Sequence, residues 1–391
     1  MSALPAGFTA SGVAAGLKPS GKPDLGLLVS DRPATAVGIF TTNRVKAAPV
    51  QLTQRLVRRG SARAIVVNAG NANACTGRQG LADAKAMGAA AGKSIGVHPK
   101  DVLVASTGVI GVPMPMEPAI AGIGSAAASL SADGLGDLAR AIMTTDTVPK
   151  TAGAEGAGYR IAGLAKGAGM IAPEMATMLC FVATDATVTK GALHDALAGG
   201  GRVTFDRISV DGCRSTNDCV LVLANGAAGG DPIEPQTPEA AAFAAELRAV
   251  LSSLAAQIVA DGEGATKVAT ITVRGATKER EAMAAARAIA DSVLLRCAIG
   301  GGDPNWGRVM AALGTAPIPF DPNRVDVFVG GEKLCEQGAR GPGDLTLAAK
   351  HLAENREVSI AVDLHRGEAE ASMLTNDLTA EYVRINTEYT T

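Results

Sequence analysis

Strand-like apolar runs alternate with Ala-rich helical runs along all 391 residues, and this alternation limits the chain to an α/β class. The runs at 25–30, 36–40, 63–68, 102–105, 159–165, 177–184, 218–224, 268–273, 325–329 and 358–363 read as strands. Those at 81–96, 136–145, 191–198, 238–260 and 278–292 read as helices. Pro-containing turns near 231–238 and 317–322 read as loops, not domain linkers. There is no repeat, low-complexity tail or charge block. With 47% hydrophobic and only 19% charged residues, the chain can bury a large core, as one big domain or two intimately packed ones.

Composition excludes several functions. The net charge of −2 offers no basic field for nucleic acid or an anionic membrane, and 3% aromatics are too few for a base-stacking surface. The six cysteines, Cys75, Cys180, Cys213, Cys219, Cys297 and Cys335, form no C-x-x-C pair, and no histidine stands at zinc spacing. They read as buried or half-buried thiols of a reducing compartment. The N-terminal Met1-Ser2-Ala3-Leu4 stretch lacks a basic region followed by an apolar one, so no signal peptide is expected. No window approaches about 18 uninterrupted apolar residues. The expected location is the cytoplasm.

Two Gly-containing stretches imitate phosphate-binding motifs. Gly88-Ala-Ala-Ala-Gly92-Lys93-Ser94 is one residue short of a P-loop and lies inside a helical pattern, and Gly300-Gly301-Gly302-Asp303 does not match the dinucleotide fingerprint. The histidines, His98, His194, His351 and His365, stand near no nucleophile-elbow serine. His98, before Pro99, and His194, on a helical run, read as structural or solvated.

The segment from Lys166 to Cys180 is different. A Gly-rich approach containing Pro173 leads to Ala176-Thr177 and then into an apolar strand. Taken alone, Ala176-Thr177 is a common dipeptide that a buried strand start explains. If that bond breaks, Thr177 gains a free α-amino group beside its own hydroxyl, so nucleophile and base sit on one residue. An α-amino group has an ordinary pKa of about 7.7–8, where a general base works well at neutral pH, and it needs no histidine.

Lys166-Gly-Ala-Gly-Met170 and Ala172-Pro-Glu-Met-Ala-Thr-Met178 resemble the cleavage-site signature of the ornithine acetyltransferase (ArgJ) family. Further similar blocks follow in order: residues 67–77 (VNAGNANACTG), 106–111 (STGVIG), 144–147 (TTDT), 215–218 (STND), 302–308 (GDPNWGR) and the C-terminal 385–391 (INTEYTT). Each is weakly specific. Together they span nearly the whole chain.

The resemblance implies a layered α/β sandwich of mixed sheets flanked by helices, shared with a group of aminopeptidases. It implies a precursor that cuts itself into an α chain, 1–176, and a β chain, 177–391, which associate as αβ units and pair into a heterotetramer. Thr177 would be the catalytic nucleophile, with Thr107 and Gly108 as the oxyanion hole. Thr144, Lys166, Thr177, Glu263, Asn386 and Thr391 would bind substrate. Lys166 suits a carboxylate and Glu263 an ammonium group. No metal and no tightly bound cofactor are implied, and acetyl-CoA enters as a substrate. The lone Trp306, in Asp303–Arg308, carries no chemistry from the resemblance and reads as a structural turn with Arg308 paired to a carboxylate.

The expected function is therefore a self-cleaving acetyltransferase of arginine biosynthesis. It moves acetyl from N2-acetyl-L-ornithine to L-glutamate through an acetyl-Thr ester, and also acetylates glutamate from acetyl-CoA. The alternatives are a monofunctional enzyme without acetyl-CoA activity, an aminopeptidase or amidase of the same fold, and an uncut metabolite-binding protein.

Overall fold

A computed structural model describes residues 3–172 and 178–388. The chain forms two compact units, one of Met1–Asp206 with Cys213–Ile258, the other of Arg207–Gly212 with Val259–Thr390.

The first unit is built on a sheet of β1 (Phe8–Val13), β2 (Leu25–Phe40), β3 (Ser61–Asn71), β4 (Val102–Val109), β5 (Lys150–Glu155), β6 (Arg160–Lys166), β7 (Leu179–Thr184) and β8 (Cys219–Ala224). The order is β4-β3-β2-β8-β7-β6-β5, with β1 also on β2. The pairs β3–β4 and β7–β8 are parallel and the others antiparallel, so the sheet is mixed. Its helices are α1 (Ala48–Val57), α2 (Gly77–Ile95), α3 (Met116–Ala128), α4 (Leu135–Ala141), α5 (Lys190–Val203) and α6 (Pro238–Ala260).

The strands read as continuous apolar runs because both faces are covered. Ile65, Val67, Leu103 and Ala105 pack with Leu135 and Leu138 of α4. The alternate residues Ala64, Val66, Val102 and Val104 pack with Met87 of α2 and Ile123 of α3. The sequence runs 25–30 and 36–40 are one strand, not two. Asp31-Arg32-Pro33 looks like a break, but β2 passes through it with a register shift between Val29 and Ala34, a bulge at an exposed bend. α6 is long and apolar enough to cross a membrane by length and composition. Within the unit, Phe243, Leu247, Val250, Leu251 and Leu254 form a buried stripe along it, the pattern of a core helix.

The second unit carries β9 (Val268–Ala276), β10 (Asp326–Val329), β11 (Glu332–Glu336), β12 (Ala339–Arg340), β13 (Glu357–Asp363) and β14 (Ala369–Asn376), in the order β12-β11-β10-β13-β9-β14. Only β9–β13 is parallel among these pairs. Its helices are α7 (Glu279–Ala290), α8 (Val293–Gly300), α9 (Trp306–Leu313), α10 (Leu345–Glu354) and α11 (Ala380–Glu388). Here β9 alternates. Ala269, Ile271 and Val273 are buried in the same core as Ala282, Ala286 and Ile289 of α7. Thr272 faces the other way and shares a 2.8 Å hydrogen bond with Ser372.

The 88–94 stretch lies inside α2, where no phosphate cradle forms. His98 accepts the Lys100 amide, and His194 is exposed on α5. Cys180, Cys219 and Cys335 are buried, but Cys75, Cys213 and Cys297 are exposed, against expectation. The Asp303–Arg308 run is a helix start, with Asn305 capping α9 and accepting the Arg308 amide. Among the described residues Arg308 pairs with no carboxylate: its Nη1 donates to the Leu294 carbonyl at 2.8 Å, because the helix start faces the backbone of α8.

Candidate functional site

The end of β4 is held by asparagine side chains from the loop after β3. Asn68 donates to the Asn71 carbonyl, Asn71 to the Val112 carbonyl, and Asn73 to the Gly80 carbonyl. Each short amide replaces a backbone partner that irregular chain lacks. Gly108 lies against this loop with φ +130, and a Cβ there would meet the Gly70 carbonyl carbon at 2.3 Å and the Asn71 nitrogen at 2.5 Å. Only glycine fits at that spot. Thr107, its neighbour, is buried.

Lys166, the last residue of β6, reaches this strand end. Its Nζ donates to Thr144 Oγ1 at 2.6 Å and to Thr107 Oγ1 at 3.4 Å. Asp146 ties the surroundings together. It accepts the Thr144 and Gly167 amides at 3.0 and 2.7 Å, and the Lys150 ammonium at 2.6 Å. Burial would raise the Asp146 carboxyl, but the Lys166 and Lys150 charges and these hydrogen bonds outweigh it and hold the group at about 2. Lys18 senses the same charges. Its ammonium donates to the Pro23 and Ala141 carbonyls, and burial, only partly offset by Asp24, lowers its pKa to about 8.

A second clamp comes from the Ser215–Asp218 turn before β8. Asn217 Nδ2 donates to the Ala72 and Ser106 carbonyls, both at 2.7 Å, so it fixes the strand that presents Thr107 and Gly108. Asp218 Oδ1 accepts the Met178 amide at 2.9 Å. Asn68 Oδ1, Ser106 Oγ and Asp218 Oδ2 are buried and have no hydrogen-bond partner among the described residues. Asn68 and Ser106 are register partners across β3 and β4. Buried polar atoms without partners concentrated at one strand end mark a place built for something other than packing.

Glu263 and Asn386 belong to the second unit, where Asn386 Nδ2 donates to Glu263 Oε2 at 2.7 Å. Glu263 is buried in its loop, while Asn386 is exposed on α11. A Cβ on Gly262 would fall 1.9 Å from Asn376 Nδ2, so the loop before Glu263 can only approach this closely as glycine. Arg296 in turn holds Asn376, donating to its carbonyl and to Oδ1 at 2.8 and 2.6 Å. Thr379 Oγ1 bonds the Gly264 carbonyl and anchors the start of α11 to the same loop.

The structure thus brings Thr107, Gly108, Thr144 and Lys166 together in the first unit, and Glu263 with Asn386 in the second. Thr177 and Thr391 lie outside the described residues, as does the Pro173–Ala176 approach. Among the described residues no group of three or more His, Cys, Asp or Glu could hold a metal ion. Asp146, Asn217 and Asp218 lie within the TTDT and STND blocks and Lys150 just beyond the first, yet none of them carries a role legible from the sequence. Their polar side chains beside buried strands were the available signal.

A family model described as the ArgJ family matches residues 9–391. A protein of Symbiobacterium thermophilum named "Arginine biosynthesis bifunctional protein ArgJ" is 50% identical, with 99% of this chain and 98% of its own length matched. A Bifidobacterium longum protein of the same name is 48% identical, with 98% of each chain matched. Among solved structures, an arginine biosynthesis bifunctional protein argJ from Bacillus halodurans aligns with a TM-score of 0.51 at 38% identity. That alignment covers 52% of this chain and 96% of the other.

Proposed function

Since the chain belongs to the ArgJ family, we propose that it is an acetyltransferase of arginine biosynthesis that passes acetyl from N2-acetyl-L-ornithine to L-glutamate and also acetylates glutamate from acetyl-CoA. Relatives matched end to end are named bifunctional, which favours the two activities over the monofunctional alternative. The aminopeptidase alternative shares the chemistry but has no such support.

The geometric observation that carries this reading is the buried Lys166 ammonium, hydrogen-bonded to both Thr144 and Thr107 at the strand end that carries Gly108. In the proposed sequence, the Thr177 hydroxyl attacks the acetyl carbonyl and its α-amine takes the proton. The Thr107–Gly108 strand end stabilises the oxyanion in a water-poor setting. Ornithine leaves, and glutamate takes the acetyl group from the Thr177 ester in a ping-pong scheme. Lys166 and Thr144 bind the substrate carboxylate, while Glu263 with Asn386 receives an ammonium group and Thr391 completes the site. Acetyl-CoA is a substrate here, not a resident cofactor.

Self-cleavage at Ala176–Thr177 would make an α chain, 1–176, and a β chain, 177–391. The Bacillus halodurans chain supports this: nearly all of it matches only about half of the present chain. Association as a heterotetramer and a cytoplasmic location complete the reading. Three exposed thiols, without a disulfide among the described residues, suit a reducing compartment. The test is ornithine release from N-acetylornithine with and without glutamate, and glutamate acetylation from acetyl-CoA. Release that ignores glutamate would sink the transferase reading.

A further inference from the structure

Acetyl transfer sets a charge problem. Donor and acceptor share an α-carboxylate, but glutamate carries a second carboxylate where ornithine has its side-chain ammonium. In a ping-pong scheme both pass through one site. The residues assigned to that site include a single cation, Lys166, and the Glu263 charge repels a second carboxylate. The acceptor therefore calls for a further cation.

Lys18 is placed to supply it. It lies in the loop between β1 and β2, which winds around the buried Asp24. Asp24 Oδ1 accepts the Ala15 amide at 2.7 Å, and Oδ2 accepts the Leu17 and Lys18 amides at 2.6 and 2.8 Å. The Asp24 carbonyl accepts the Ala69 amide at 2.7 Å, which ties the loop to β3. The Lys18 stem is thereby laid over Gly70, where a Cβ would fall 3.2 Å from Lys18 Cγ. Gly70 is the register partner of Gly108. The ammonium donates to the Pro23 carbonyl at 2.6 Å and to the carbonyl of Ala141, the last residue of α4, at 3.1 Å. Three residues further on stands Thr144, whose Oγ1 receives Lys166 Nζ. Both ammonium groups are thus anchored on the short stretch from Ala141 to Thr144.

The two carbonyls take two of the three N–H groups of Lys18 and neutralise none of its charge. The oxygens of Asp24, the carboxylate in its own loop, are engaged by backbone amides. Burial lowers the Lys18 pKa to about 8; Asp24 and Asp146 pull it up, and Lys166 and Lys22 push it down. The group is still charged at neutral pH and feels the repulsion of Lys166.

We propose that Lys18 is the acceptor-specificity residue, its ammonium binding the side-chain carboxylate of glutamate while Lys166 holds the α-carboxylate. The proposal rests on the transfer reading above and adds a residue that the resemblance did not assign. A dicarboxylate across the pair replaces a repulsion between two cations with two charge-assisted contacts. N-acetylornithine has one carboxylate to offer, which Lys166 takes, and its ammonium is repelled by Lys18.

The experiment compares transfer from N-acetylornithine to glutamate and to glutamine, its side-chain amide. Wild type should prefer glutamate. Lys18→Met keeps the stem on Gly70 and removes the charge. Its preference in kcat/KM should fall about tenfold or more, the scale of one charge-assisted hydrogen bond. Lys18→Arg should keep most of the preference. A role in folding alone would depress both acceptors alike, so a Lys18→Met enzyme with the wild-type ratio overturns the proposal. So does one in which the KM for acetyl-CoA rises instead, because the cation then serves a phosphate. If Lys18→Met does not fold, Lys18→Gln retains a donor for the two carbonyls and is read the same way. In wild type, glutarate should compete with glutamate more tightly than its monoamide does; equal competition also refutes a second cation. Ornithine release by wild type that does not respond to glutamate defeats the transfer reading itself. Normal transfer with an unaltered variant ratio defeats only the Lys18 inference.

Discussion

Asp146 and Lys150 form an ion pair of 2.6 Å in which neither side chain is exposed to solvent. The same carboxylate holds the amides of Thr144 and Gly167, so this pair sets the frame around Lys166. Its strength lies in full satisfaction: a buried charge with a partner and several hydrogen bonds is tolerable, and one without them is not.

Lys150→Met therefore leaves Asp146 with one charged neighbour fewer in a dry site, and should destabilise the protein by ~3–5 kcal/mol. Urea unfolding monitored by circular dichroism measures it. A loss below about 1 kcal/mol would mean that the buried pair is not what holds the frame.

The Asp146 carboxyl also predicts an acid limit. Its folded value of about 2 lies below the ordinary 3.8, so the carboxylate form is favoured by folding. The resulting stability, roughly 2 kcal/mol, is fully present above pH 4 and is lost as pH falls towards 2. In Asp146→Asn this pH-dependent increment disappears, which a comparison of unfolding midpoints between pH 5 and pH 2.5 detects.

Gly108→Ala places a Cβ on the Gly70 carbonyl carbon. The expected effect is a fall in kcat of ~10²-fold, the scale of a lost oxyanion-hole donor, with KM changed much less. Unaltered kcat in a correctly folded variant argues that the strand end has no part in the chemistry.

Glu263→Gln keeps the shape of the side chain and its hydrogen bond to Asn386 while removing the charge. KM for N-acetylornithine should rise about tenfold, in line with loss of a charge-assisted hydrogen bond of ~1.5–3 kcal/mol. Arg296→Met, which removes the hold on Asn376, should raise the same KM with Glu263 intact. Equal KM values in both variants and wild type place substrate recognition elsewhere.

Cleavage should not separate the chain halves. β7 pairs with β6 and β8 with β2, so strands from both sides of residue 177 share one sheet. Two bands on a denaturing gel should accompany a single peak in native size exclusion, no smaller than the intact 39.2 kDa chain. Fragments eluting apart would contradict this.

What was legible in the sequence was local or compositional. The α6 run at 238–260 was readable to its ends because a long Ala-rich stretch begins at a proline and carries its own periodicity. The ordered motif blocks were enough to point to the family. Less was legible where a short polar stretch has two possible fates. Asp31-Arg32-Pro33 falls between two separate strand runs in the sequence, and the strand passes through it because β3 and β8 hold β2 on either side of the bend. Asn305 to Arg308 reads as a turn and starts a helix.

The sequence by itself determined the class of fold, the family and the residue types of a site, because apolar periodicity and motif order are properties of the chain alone. Only the tertiary structure decided which of those residues meet. Lys166 reaches Thr107 and Thr144 across 59 and 22 positions, and Asn217 reaches Ser106 across 111. Contacts of that range depend on strand order, and strand order is set by the joint packing of all the strands and helices, which no local pattern encodes.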